Sequence, residues 1–359
     1  MTSTPGVSFH SPFSFTLPAE LVAKEPPENR GIARDAVRLV VIDRSDYRID
    51  HTLFYNIEKF LVPGDLMVFN TSRTLPASLV GYGKTGGPLV EVRLAEHLPD
   101  DSWLALLRCG QAVDPFSCGI HKGMQIKFDL GLVATVYERD KRIQRLWKIN
   151  FSKSGTELLE LLYRIGQPIR YEYVSKPWDL DYYQTVYAND PGSAEMPSAG
   201  RPFTWKLLFH LKRIGIKMAN ISLHTSLSSY MDSALDQRHI PSEEEFFVSS
   251  TTAEQINKTH SLGRRVIAVG TTVVRALETT AADKKGNVKA GHGYTRLHIT
   301  ANHKLKTVDG LLTGLHEPEA SHLDLLSAFL PAGRIHEAYK TAIQRKYLWH
   351  EFGDMNLIL

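Results

Sequence analysis

Apolar residues follow two rhythms along the chain. Residues 38–43, with Leu39, Val40, Val41 and Ile42 in a row, read as a short buried strand. After the Pro63-Gly64-Asp65 turn, residues 66–69 read as a second. From about Ser78 to Phe151 short β-type runs follow one another, at 89–94, 103–107, 124–128, 132–137 and 146–151. Gly, Pro and Asp separate them and no helical period intervenes, which predicts a small barrel or sandwich. Beyond Phe151 the period lengthens. Ser154 and Glu157 form a capping-box pair, and Leu158, Leu159, Leu161, Leu162 and Ile165 supply a helical apolar face that Gly166 and Pro168 end. Thr204 can cap a second helix with Leu207, Leu208, Leu211 and Ile214 inward and Gly215 at its end. A strand at 216–223, a capping box at Thr252 and Gln255, a strand at 266–269 and helices at 273–281, 321–329 and 335–347 follow. Alternating strands and helices indicate an α/β domain. The fold expected is therefore an α/β domain with an inserted all-β small barrel: residues 1–75 and 152–359 form the discontinuous α/β catalytic domain, and 76–151 the insert.

A length of 359 residues suits two domains rather than one core. The composition, 43% hydrophobic and 23% charged, is that of a globular chain. No apolar run approaches the ~18 residues of a membrane span, and residues 1–12 lack the basic start and apolar stretch of a signal peptide. A soluble cytoplasmic protein is expected, with no membrane partner and a monomeric state. Cys109 and Cys118 are too few for a disulfide framework or a cysteine zinc site and read as two reduced thiols. The net charge of +3 permits an RNA partner without demanding one. The basic pairs Lys212-Arg213, Arg264-Arg265 and Lys284-Lys285 read as solvated surface, and no aromatic–basic stripe is visible.

The best local signal is Ala268-Val269-Gly270-Thr271-Thr272-Val273-Val274-Arg275. A strand ends, a glycine turns, two threonines can cap, and a helix begins with Arg275 one turn in. Free N–H groups and the helix dipole at such a junction suit an anion such as a substrate carboxylate. On pattern alone, a plain capped helix is the better account.

Several stretches together resemble the S-adenosylmethionine:tRNA ribosyltransferase-isomerase family of queuosine biosynthesis. Phe15-Thr16-Leu17-Pro18, Ala23-Lys24-Glu25-Pro26, Arg30, Arg34 and Arg38-Leu39 follow the family's opening. Pro63-Gly64-Asp65-Leu66 leads to Asn70, Arg73, Pro76-Ala77 and Leu79, and Gly86-Gly87 with Glu91-Val92 match the start of its inserted β domain. Tyr183-Gln184-Thr185-Val186-Tyr187-Ala188 and Val269 to Arg275 with Leu277-Glu278 are near-verbatim, and Asp309-Gly310-Leu311 and Phe352-Gly353-Asp354-Met355 complete the set. The resemblance implies an enzyme with an α/β domain and inserted barrel. Its substrates would be S-adenosylmethionine and tRNA, with no cofactor beyond S-adenosylmethionine as co-substrate and no metal. The reaction implied transfers and isomerises the ribosyl part of S-adenosylmethionine onto a 7-aminomethyl-7-deazaguanine in tRNA, giving epoxyqueuosine as adenine and methionine leave.

The sequence also departs from the family. Pro197-Ser198-Ala199-Gly200-Arg201-Pro202 replaces a family histidine by Pro202, and Ile240-Pro241-Ser242-Glu243 loses another. His224-Thr225-Ser226-Leu227-Ser228 keeps the family's histidine but replaces two glycines by Ser226 and Ser228, while Thr313-Gly314-Leu315-His316-Glu317-Pro318 keeps His316. A proton must leave the ribose carbon beside the sulfonium and another must reach the departing adenine, roles for groups titrating near neutrality. His224 and His316 are the expected acid–base residues, with Glu195 and Glu317 as further catalytic carboxylates. Asn70, Arg73, Ser198, Gly200, Thr271, Thr272, Arg275 and Thr313 are the expected substrate contacts. Three alternatives stand beside this reading. The first is a divergent paralogue using S-adenosylmethionine with a different acceptor, suggested by the altered motifs. The second is a metalloenzyme built on His316, Glu317, Glu319, His322, His350 and Glu351, although Pro318 breaks the helix that would align such ligands. The third is a non-catalytic RNA-binding protein.

Overall fold

The computed structural model describes residues 15–83, 89–109, 119–171, 173–174, 176–236, 238, 240–283, 285–318 and 320–359. Gly86-Gly87, Cys118, Lys284 and Glu319 lie outside the described residues. The chain first lays down β1 (Arg38–Ile42), β2 (Ile49–Leu53), β3 (Leu66–Asn70) and β4 (Ser72–Thr74). Six strands then close into an antiparallel barrel in the order β10-β7-β6-β5-β8-β9: β5 (Ser78–Tyr82), β6 (Leu89–His97), β7 (Trp103–Cys109), β8 (Gln125–Lys127), β9 (Val133–Arg139) and β10 (Leu146–Phe151). Alternate residues turn inward, so Val90, Val92, Leu94, Leu104, Leu106, Ala134, Val136, Leu146 and Ile149 share one core, against which α1 (Gly155–Ile165) sets Leu158 and Leu162. Every barrel strand has a partner on both sides, the β5–β8 seam closing at Tyr82 and Lys127.

The rest of the chain runs β11 (Asp190–Ser193), α2 (Trp205–Arg213), β12 (Lys217–Leu223), α3 (Ser233–Asp236), β13 (Glu244–Val248), α4 (Ser250–Ser261), β14 (Val266–Val269) and α5 (Thr271–Thr280). It ends with β15 (Gly291–Thr295), β16 (Gly310–Gly314), α6 (Ser321–Leu326), α7 (Ala332–Gln344) and β17 (Met355–Ile358). These build a nine-stranded mixed sheet in the order β15-β13-β12-β3-β14-β16-β17-β1-β2. Its centre, β12-β3-β14-β16, is parallel. Strand alternation divides the apolar residues between two faces. Leu66, Val68, Ile221 and Ala268 pack beneath α4, α5 and α7, and Met67, Phe69, Ile267 and Val269 beneath α2. The architecture is the expected α/β fold with an inserted small barrel.

Local readings meet mixed outcomes. Thr204 caps α2, accepting from Leu207 N at 3.1 Å. α4 begins at Ser250, and its cap is Ser249, which accepts from Thr252 N at 3.1 Å. The Thr252–Gln255 pair therefore lies inside the helix, and Thr252 Oγ1 donates to Asn220 O instead. Ser154 is at the N-cap of α1 but makes no side-chain capping bond. Cys109, read as a reduced thiol, is disulfide-bonded. No helix among the described residues is long and apolar enough to cross a membrane.

Candidate active site

Parallel strands present their C-terminal ends on one edge of the sheet, and loops leaving that edge are free to carry chemistry. Here β3, β12, β14 and β16 all end on that edge. Between it and the barrel lies a cleft of about 1130 Å³. Arg93, Leu106, Arg108 and Arg145 form its barrel wall, and residues 194–199, residues 225–232, the start of α5 and the loop after β16 form much of the remainder.

Eight of the sequence-predicted residues line this cleft: Glu195, Glu317, His316, Ser198, Thr271, Thr272, Arg275 and Thr313. Glu195 accepts from Ser228 N at 2.8 Å and from the Tyr171 hydroxyl. Burial lifts its carboxyl to about 8, against the pull of the Ser228 hydrogen bonds. His316 is oriented by Thr313, whose Oγ1 lies 2.8 Å from Nε2, and stacks on His322 with ring centroids 4.5 Å apart. Burial, then the neighbouring His322 and His350, hold its imidazole well below the usual histidine range, so it is unprotonated at neutral pH. Glu317 lies 2.7 Å from His350 Nε2. Glu317 is half exposed, and its partial loss of solvent raises the carboxyl, while burial lowers the His350 imidazole to about 4.

The start of α5 is built differently from the sequence reading. Gly270 is the N-cap, at φ 101, and neither threonine caps the helix. Instead Thr272 Oγ1 accepts from Asn70 Nδ2 at 3.3 Å. Arg275 is ion-paired with Glu244 and donates from Nε to Leu297 O at 3.0 Å. The other Glu244 oxygen accepts from Ser226 N at 3.1 Å. The guanidinium thus closes the cleft floor through a partner of its own.

The remaining predicted residues are not in the cleft lining. His224 sits behind it, with Nδ1 2.7 Å from Ser72 Oγ, which is 2.6 Å from Ser193 Oγ. Burial lowers its pKa, and its ring packs against Gly192 so closely that a Cβ there would fall 2.4 Å from Nδ1. Asn70 laces β3 to β12, donating to Leu223 O at 2.8 Å and accepting from Leu223 N at 3.0 Å. Arg73 lies over the Tyr163 ring. Gly200 is a packing point, since a Cβ would meet the Tyr187 hydroxyl at 1.8 Å. Arg201, one of the departures, is buried and donates to Glu28 and Tyr182 O at 2.9 and 2.8 Å, so its charge serves the scaffold.

Sequence reasoning missed Tyr171, Tyr173 and Glu244, and read Glu351 and His350 only as metal ligands. Tyr173 stacks on His350 at 4.0 Å and donates to Glu351 at 2.6 Å, while Glu351 Oε1 is buried with no partner among the described residues. Ser226 Oγ, on the cleft wall, is likewise buried and unpartnered. Pro168-Ile169-Arg170-Tyr171-Glu172-Tyr173, a short aromatic and charged stretch just ahead of the Tyr183-Gln184-Thr185 motif, was the available signal. Among the described residues, no group of three His, Cys, Asp or Glu converges to hold a metal ion.

Comparison with known proteins matches residues 10–358 to a family described as queuosine biosynthesis protein. An S-adenosylmethionine:tRNA ribosyltransferase-isomerase of Carboxydothermus hydrogenoformans is 36% identical over 350 residues, covering 97% of this chain and 98% of that protein. One from Moorella thermoacetica is 36% identical over 351 residues with the same coverage. Among solved structures, an S-adenosylmethionine tRNA ribosyltransferase from Thermotoga maritima superposes with a TM-score of 0.54 at 30% identity, covering 97% of this chain and 100% of that one.

Proposed function

The chain belongs to the queuosine biosynthesis protein family, and from that membership we propose that it is an S-adenosylmethionine:tRNA ribosyltransferase-isomerase. It transfers and isomerises the ribosyl part of S-adenosylmethionine onto 7-aminomethyl-7-deazaguanine in tRNA to give epoxyqueuosine. The observation that carries this reading is the likeness to such enzymes over 97% of the chain. Nothing in the fold or the relatives favours a different acceptor.

The cleft suits the chemistry. The sulfonium of S-adenosylmethionine acidifies the neighbouring ribose carbon, so an unprotonated group must take that proton and a protonated one must serve the departing adenine. We assign the first role to His316, neutral and aimed by Thr313, and the second to Glu195, whose carboxyl holds its proton to about 8. Thr271, Thr272 and Ser198 contact S-adenosylmethionine, with the α5 N-terminus facing its carboxylate. Arg275, bound to Glu244, shapes that wall. His224, Asn70 and Gly200 position the wall from behind. The test is incubation with S-adenosylmethionine and tRNA bearing 7-aminomethyl-7-deazaguanine. Adenine release matched by epoxyqueuosine is expected; adenine release without modified tRNA would point to another acceptor, and no adenine release at all would overturn the reading.

A further inference from the structure

α2 has the sequence Trp205-Lys206-Leu207-Leu208-Phe209-His210-Leu211-Lys212-Arg213. Its leucines, Leu207, Leu208 and Leu211, are buried under the sheet. The opposite face carries Trp205, Lys206, Phe209, Lys212 and Arg213, all exposed. These positions recur at helical spacing and make one continuous stripe. In the linear sequence the leucines interrupt it, which is why the chain shows no aromatic–basic run.

Two features make this face unlike an ordinary solvated helix surface. Trp205 is 52% and Phe209 65% exposed, and the two rings stack on each other with centroids 5.9 Å apart and planes 25° from parallel. Leaving two large aromatic faces in water wastes burial that would stabilise the fold. The charge is also of one sign: α2 has no carboxylate, and His210, Lys212 and Arg213 fill its last turn. Arg213 Nη2 bonds His210 Nδ1 at 3.1 Å, keeping the guanidinium on this face. At the helix start Asp35 is occupied by the Thr204 hydroxyl, at 2.9 Å.

Cations interleaved with aromatic faces fit RNA, where phosphates pair with Lys and Arg and bases or riboses stack on rings. The stripe is also near the chemistry. Ser198 and Ala199 line the cleft, and Trp205 follows Ala199 closely enough that the chain spans at most about 22 Å between them. We propose that the outer face of α2 is a docking surface for the tRNA substrate, holding the RNA next to the cleft while its target base is inside. The inference rests on the tRNA activity proposed above.

The experiment compares full-length wild type with Lys212→Glu plus Arg213→Glu, and with Trp205→Ala plus Phe209→Ala. Affinity for unmodified tRNA is measured by fluorescence anisotropy from 50 to 300 mM salt, alongside KM, kcat, S-adenosylmethionine binding by calorimetry, and sedimentation. All four positions are exposed, so unchanged S-adenosylmethionine binding and circular dichroism certify the fold. The charge-reversal variant is expected to bind tRNA at least ~10-fold more weakly, with a salt slope shallower by about 1.5. The aromatic variant is expected to lose about 10-fold or more in affinity with little change in slope. In both, the KM for tRNA rises while kcat holds. Variants that keep wild-type tRNA affinity and KM overturn the proposal. So does a wild-type dimer that the aromatic variant converts to monomer with tRNA binding intact, since the face would then be a protein interface. A wild type that neither binds nor modifies tRNA overturns the parent reading instead, and the two failures are distinct.

Discussion

Glu195 shows how one side chain turns burial into chemistry. Its carboxyl is raised to about 8 by loss of solvent, while an unfolded glutamate titrates near ~4.3. Between those values the folded protein holds a proton that the unfolded chain has released. Stability therefore falls as pH rises through that window and levels off above about 8. Glu195→Gln cannot ionise, so its melting temperature relative to wild type should climb between pH 5 and pH 9. Its activity should fall by ~10²-fold or more, and the loss of wild-type kcat above about pH 8 should vanish from the residual rate. A variant with wild-type kcat at pH 7 would remove Glu195 from the acid's role. His224 makes the opposite point. Its imidazole meets Ser72 Oγ and lies outside the cleft lining. His224→Ala is expected to cost about 1–3 kcal/mol of stability by leaving buried hydroxyls short of a partner. Its kcat–pH profile should keep the wild-type shape, which denaturant titration and rate profiles together will check. His224 and His316 both stand in family-like stretches, so the sequence marked them equally. What it could not supply was direction: His316 turns into the cleft from the loop after β16, whereas His224 turns toward β4 and β11.

Elements with strong internal pattern were legible, and those defined by their neighbours were not. The barrel strands are short apolar runs broken by turn residues, β7 apolar almost throughout, and α1 and α2 repeat their leucines at helical spacing, so each was readable alone. Missed strands such as β2, Ile49–Leu53, and β15, Gly291–Thr295, carry mixed or glycine-rich sequences and exist because β1 and β13 offer them an edge. The β14–α5 junction and its glycine turn were found, but its cap was misread because Gly270, at φ 101, is itself the N-cap and no hydroxyl caps the helix. That geometry can be tested. Gly270→Ala forces a side chain into the left-handed region and sets its Cβ 3.3 Å from Thr272 Oγ1 and 3.4 Å from Ala199 Cβ. The strain should cost about 1–2 kcal/mol and tilt Thr271 and Thr272 away from the cleft. Calorimetry should show S-adenosylmethionine binding at least ~10-fold weaker, whereas unchanged affinity would separate the junction from the ligand.

At the scale of the molecule, the sequence announced the inserted barrel through a change of rhythm, but not the segment that ties it down. We propose the division into 1–75 with 152–359 and 76–151 as two energetic units. The connection from β12 to β13 leaves the large sheet, contributes Leu227 and Tyr230 to the barrel's core, and returns. Arg145, on the barrel side, pairs with Asp232 of this segment at 3.0 Å. The same segment supplies Ser226 and Ser228 to the cleft, and Ser228 N holds Glu195. Barrel attachment and active-site geometry therefore share a single strap, with Leu227, 5% exposed, as its apolar anchor. Leu227→Ala removes buried methyl groups at the joint and should cost about 2–4 kcal/mol. Because the barrel is closed and the large sheet has its own cores, the loss should fall on the coupling between them. Scanning calorimetry is expected to show a broadened or split transition in place of a single one. The KM for S-adenosylmethionine should rise as Ser228 releases Glu195. A single sharp transition, displaced but not broadened, with unchanged KM would mean that the two units melt as one body and that the strap carries no coupling.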